Sequence, residues 1–124
     1  MSTLLNDRDL DVDTLVRMLD LAPHPEGGFY RETFRDPRPG AERDHSTAIY
    51  YLLALGEVSA WHRVASAEVW HWYGGAPLAL TISGNGHDAA SHRLGPHLLA
   101  DERPQLVVPA NAWQTAESLG RWTL

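Results

Sequence analysis

One stretch of the chain reads Gly56-Glu57-Val58-Ser59-Ala60-Trp61-His62-Arg63-Val64-Ala65-Ser66-Ala67-Glu68-Val69-Trp70-His71-Trp72-Tyr73-Gly74-Gly75. Two runs, 58–64 and 68–73, are rich in β-branched and aromatic residues and flank the small connector Ala65-Ser66-Ala67. That is the pattern of two short strands joined by a turn. Successive side chains on a strand point to opposite faces, so Glu68, Trp70 and Trp72 share one face and Val69, His71 and Tyr73 the other. His62 lies near the end of the first run and Glu68 opens the second. If the runs pair as neighbours, an imidazole and a carboxylate meet over a floor of indoles. Small-molecule pockets have this composition, mostly apolar with a few placed polar groups.

Working outward, further strands are predicted at 29–35, 47–55, 78–83, 87–94, 105–108, 113–117 and 121–124. The separators are rich in glycine and proline, among them Pro37-Arg38-Pro39-Gly40, Gly84-Asn85-Gly86, Gly95-Pro96 and Pro109-Ala110-Asn111. Asn and Gly in the segment 83–87 tolerate the left-handed conformations of a tight hairpin. Only one helix is predicted, over about 11–21. Val12, Leu15, Val16 and Leu19 recur at helical spacing, Asp11 is the N-cap, and Pro23 forbids continuation. Asp7, Asp9, Asp11 and Asp13 read as a solvated face around that cap. The loop Pro23-His24-Pro25-Glu26-Gly27-Gly28 reads as a stiff clasp at the helix end. One helix followed by many short strands indicates an all-β antiparallel sandwich or barrel, in a single domain over 1–124 with the β-barrel at about 29–124.

Composition narrows the function. The 124 residues include no cysteine, which excludes disulfides and thiolate metal sites. Ten basic residues, all arginine and scattered, stand against sixteen acidic ones, for a net charge of −6. That balance argues against a nucleic-acid partner. The longest apolar run, 48–55, is far short of the roughly 20 residues of a membrane span. The first nine residues lack the basic flank and apolar stretch of a signal peptide. A cytoplasmic protein with neither a nucleic-acid nor a membrane partner is expected.

These residues resemble the cupin superfamily, and in particular a single-domain branch of it with no established activity. The first cupin motif runs Gly-(x)5-His-x-His-(x)3,4-Glu-(x)6-Gly, and Gly56, His62, Glu68 and Gly75 match it, with Val64 at the second histidine. The second motif runs Gly-(x)5-Pro-x-Gly-(x)2-His. Pro109 matches it, with Asn111 at its second glycine and Gln114 at its histidine. The segments 23–33 and 49–53 also look like those of the branch. The resemblance implies a jelly-roll (double-stranded β-helix) barrel with a short N-terminal helix. It also implies further strands beyond Trp122-Thr123-Leu124, so missing C-terminal strands, or an edge supplied by a partner, are expected.

Three functional readings follow from the resemblance. In one, the protein is a metal-independent isomerase or epimerase of a sugar-like or keto metabolite, as some cupins are. His62 is then the general base, Glu68 its orienting partner, and Tyr50, Trp70, Trp72 and Gln114 hold the substrate, with Glu26 reaching the pocket mouth. In another, a divalent metal sits in a degenerate His/Glu/Gln site, against which Val64 argues because it cannot ligate. In the last, the same pocket binds a small molecule without chemistry. His71 is expected on the opposite face, and His24, His45, His87, His92 and His97 on exposed positions without a role. Five tryptophans in so short a chain point to a homodimer, with Trp61, Trp113 and Trp122 as packing or interface residues.

Overall fold

The computed structural model describes residues 10–124; Asp7, Asp9 and the reading of the first nine residues as leader-free lie outside them. The elements run α1 (Val12–Leu19), β1 (Ala22–Pro23), β2 (Phe29–Asp36), β3 (Ser46–Ala54), β4 (Val58–Arg63), β5 (Glu68–His71), β6 (Leu78–Ser83) and β7 (Ala90–Leu94). A 3-10 turn (Leu98–Ala100) then leads to β8 (Glu102–Arg103), β9 (Gln105–Val108), β10 (Trp113–Ser118) and β11 (Trp122–Thr123).

Helix α1 is shorter than the predicted 11–21. Asp11 caps it by accepting the Thr14 N–H at 2.8 Å, and Asp20 closes it in the left-handed conformation at φ 55°. That turn sends Leu21 directly into β1, so proline is not what stops the helix. Hydrogen bonds from Thr14 hold the Asp11 carboxyl below its ordinary range. A carboxyl lowered by folding stabilises above its unfolded pKa and ceases to do so as pH falls through the folded value. Asp11→Ala is therefore expected to lower the melting temperature by a few degrees at neutral pH and by less in acid, read by circular dichroism.

The strands form three sheets, ordered β1-β2-β3-β11, β4-β10-β6-β7-β8 and β5-β9. The described residues are mostly β, as expected, in three sheets of which none closes on itself. The expected pairing of 58–64 with 68–73 is corrected, since β4 pairs with β10 and β5 with β9. The connector after β4 and the one before β10 lie side by side, with the Asn111 N–H on the Val64 carbonyl at 2.7 Å. One long antiparallel ribbon thus bends at this double turn and passes between sheets. The predicted strand 87–94 begins only at Ala90, because the Asn85 side chain captures the N–H groups of His87 and Asp88.

Alternation along β3 divides its side chains between two cores. Leu53 faces inward against Leu78, Leu80, Leu94, Val108, Ala112 and Ala116 from the other two sheets, with Tyr51 packed alongside. Leu52 faces outward against Leu15, Leu21, Trp122 and Leu124, with Tyr50, Val12 and Val16 beside them. The helix therefore covers the outer face of the four-stranded sheet and leaves the inner face for the site. Strand β11 has partners on both sides, β3 on one and the segment 74–76 on the other. Gly75, at φ 84°, permits the close approach, for a Cβ there would lie 2.4 Å from the Trp122 carbonyl oxygen.

Candidate functional site

Between the sheets lies a cavity of about 180 Å³ whose walls include Ser59, His62, Glu68, Trp70, Tyr51 and His24. His62 and Glu68 reach it although their strands do not pair, because the bent ribbon turns both toward the same space. The ladder between β10 and β4 is irregular between Gln114 and Ala116, where Gln114 opposes His62 and Ala116 opposes Ser59. Such a bulge places Ser59 and His62 on one side, which strict alternation would have separated. It also turns the Ala60 carbonyl to the His62 ring, with Nδ1 at 2.8 Å.

That contact fixes the chemistry of His62. A carbonyl only accepts, so Nδ1 carries the proton, and Nε2 of the neutral ring keeps a lone pair. The tautomer is thus set by the Ala60 backbone, not by Glu68 as the sequence led us to expect. No hydrogen bond or ion pair joins His62 and Glu68 among the described residues.

Gln114 lies in a second layer. It is 1% exposed, opposes His62 across the ladder, and accepts the Trp70 indole N–H on Oε1 at 3.0 Å. An indole only donates, so the amide cannot be flipped, and Nε2 must face away from Trp70. Nε2 and the Ser59 hydroxyl are buried without hydrogen-bond partners among the described residues. Buried polar groups are rarely left in this way, and an unpaired one costs about 1–3 kcal/mol.

Other expected site residues lie elsewhere. Tyr50 belongs to the helix-side core, because its alternation on β3 is opposite to that of Tyr51. Tyr51 takes the place at the cavity and donates its hydroxyl to the Gly27 carbonyl. Burial pushes the Tyr51 phenol above its ordinary value, with the carboxylates of Glu26, Glu57 and Glu68 adding to the rise, so it stays a donor. Trp72 packs against the inner core and bonds the Ala76 carbonyl instead of lining the cavity. The Glu26 carboxylate sits 3.1 Å from His24 Nδ1, away from the cavity wall.

Two histidines expected to be idle line the cavity, His24 and His71. His24 arrives on the clasp, which docks on β4 through the Ala60 N–H and the Glu26 carbonyl at 2.8 Å. Gly27 makes that docking possible, since at φ 113° a Cβ would lie 2.3 Å from the Val58 carbonyl oxygen. Adjacent glycines in a stiff proline loop were the available signal for close backbone approach. His71 lines the cavity together with Val69 and Tyr73, from the face of this segment opposite to Glu68 and Trp70.

A β-rich fold with the motif residues His62 and Glu68 on one cavity wall and Gln114 behind it points to the cupins, and residues 13–124 match the family described as Cupin superfamily (DUF985). The chain belongs to this family. Among solved cupin-like structures, protein SO0799 from Shewanella oneidensis aligns with a TM-score of 0.86 at 31% identity, over 92% of this chain and 73% of that one. A hypothetical protein from Leishmania major aligns with a TM-score of 0.83 at 24% identity, over 92% of this chain and 77% of that one. No curated protein matches the chain.

Metal-dependent cupins hold their ion on histidines and a glutamate, and the residues of this cupin do not fit one. Val64 offers no donor atom, and Gln114 lies behind the cavity wall with Oε1 turned to Trp70. Among the described residues, no three His, Asp or Glu side chains converge at ligating range. A facial triad requires two histidines and a carboxylate.

Proposed function

We propose that this cupin binds a small sugar-like or keto metabolite and moves a proton on the carbon next to its carbonyl, as a metal-independent isomerase or epimerase. The observation that carries the reading is the His62 ring, pinned through Nδ1 to the Ala60 carbonyl and presenting an unprotonated Nε2 within a mostly apolar cavity. An imidazole so placed suits proton abstraction near neutral pH. Removing that proton puts negative charge on the carbonyl oxygen. The Gln114 amide, opposite His62 in the ladder and behind the cavity wall, holds the Trp70 indole that forms part of that wall. Glu68 and Trp70 supply polar and stacking contacts to hydroxyl-bearing carbon chains. The metal-dependent reading is set aside on the donor set.

The test is solvent deuterium uptake, followed by proton NMR, across a panel of keto-sugars and small keto acids. Uptake that depends on His62 is expected. A flat result across the panel, with binding retained, would leave a ligand-binding cupin without turnover.

The protein is also proposed to be a homodimer. Phe34, Ile49, Val69, Tyr73 and Val107 are all exposed and apolar, and a second copy would cover such area. Light scattering at micromolar concentration is expected to give twice the chain mass, and the monomer mass would overturn this.

A further inference from the structure

We propose that the His24–Glu26 pair is the general acid of this cavity, delivering a proton to the carbon that His62 deprotonates, so that the reaction inverts that carbon. The inference rests on the reading of His62 as the base.

The two imidazoles are preset with opposite polarity. His24 Nδ1 has two neighbours from one residue, the Glu26 N–H at 3.0 Å and the Glu26 carboxylate at 3.1 Å. In the neutral ring, Nδ1 accepts that N–H and the proton sits on Nε2. In the charged ring, Nδ1–H donates to the carboxylate and Nε2 is still protonated. Either way Nε2 is a donor, and it has no hydrogen-bond partner among the described residues. His62 is the reverse, with Nδ1 protonated and Nε2 an acceptor. His24 thus has a partner ready for each of its charge states, which suits a group that gains and loses a proton every cycle.

The rings belong to different walls but share one anchor. His24 packs edge-on to Tyr30 at 4.7 Å and tilted on Tyr51 at 4.9 Å, both from the four-stranded sheet. His62 stands on β4 of the five-stranded sheet. Ala60 connects them, its N–H on the Glu26 carbonyl and its carbonyl on the His62 ring, each at 2.8 Å. One residue therefore sets the position of acid and base together. The titratable groups facing His24 are Glu26, Tyr30 and Tyr51, with His62, Glu68, His71 and Tyr73 elsewhere on the cavity wall.

The step balances without a co-reactant. The C–H bond breaks, its proton goes to His62 Nε2, and its electron pair enters the carbonyl to give an enolate. The His24 imidazolium then releases its Nε2 proton to the same carbon and a new C–H bond forms. His24 is left transiently as the Nδ1–H tautomer on the Glu26 carboxylate, before it relaxes to the resting form with its proton on Nε2. Exchange with water restores both rings.

Two measurements on the full chain test this. In histidine ¹H–¹⁵N NMR at a pH where both rings are neutral, the His24 proton is expected on Nε2 and the His62 proton on Nδ1. The same tautomer for both would overturn the proposal, whether or not any substrate is found. For a panel compound that exchanges, Glu26→Gln keeps the backbone N–H while removing the counter-ion, and His24→Gln removes the acid. In both variants, formation of the opposite epimer is expected to fall about 100-fold or more, with a much smaller fall in deuterium wash-in to the epimer supplied. Equal losses of both, or unchanged inversion, would overturn it. A panel that shows no exchange with wild-type protein would refute the reading of His62 as a base, leaving the tautomer spectrum to decide whether the donor–acceptor pair exists.

Discussion

Trp122→Ala is expected to destabilise the protein by about 3–5 kcal/mol, the range for truncating a large buried aromatic. The indole is 5% exposed and sits in the outer core with Leu10, Leu15, Leu21, Leu52 and Leu124. Its N–H donates to the Leu10 carbonyl at 3.1 Å, which ties the segment before the helix to β11. Its ring also fills the space that Gly75 leaves by having no Cβ, for a Cβ there would meet the ring at 2.5 Å. Alanine would open a cavity bounded by backbone on the Gly75 side, where little can move inward. Urea unfolding followed by circular dichroism measures the loss. Trp61→Ala is the control, because Trp61 is 50% exposed and its truncation is expected to stay within about 0.5 kcal/mol. A loss under about 1 kcal/mol at Trp122 would show that β11 is not integral to the core.

The second large effect concerns chemistry. His62→Gln is expected to reduce deuterium uptake by about 100-fold to 10,000-fold, the usual contribution of a positioned general base. Glutamine retains a donor for the Ala60 carbonyl but offers no imidazole lone pair. The melting temperature is therefore expected to change little, since His62 is only partly buried and makes one hydrogen bond. Uptake that persists in the folded variant would remove His62 from the mechanism. Gln114→Leu removes the unpartnered Nε2 but also the acceptor of the Trp70 indole N–H, so a net loss of about 1–3 kcal/mol in urea unfolding is expected.

Much of the layout was legible because it follows local rules. The N-cap at Asp11 and the strands Leu78–Ser83 and Gln105–Val108 required only composition, alternation and punctuation. The family was legible because the spacing from Gly56 to His62, Glu68 and Gly75 survives the loss of the second histidine. Tyr50 and Tyr51 show where such reading ends. Both suit a pocket chemically, and which one faces it depends on where the helix docks, not on the identity of either residue. The roles of His24 and Ser59 were hidden for a related reason. One depends on a clasp folding back onto β4, the other on a bulge, and both are contacts between distant segments.

The pattern along the chain was sufficient for a β-rich cupin with His62 and Glu68 at one hollow, because period-two alternation and motif spacing are properties of neighbouring residues. Which tyrosine reaches the cavity and where the orphaned amide points were decided only by tertiary packing. The tyrosine depends on which face of the four-stranded sheet the helix covers, and the amide on a bond from Trp70 to Gln114 between two sheets; three-dimensional register, which no local pattern encodes, names the partners in both.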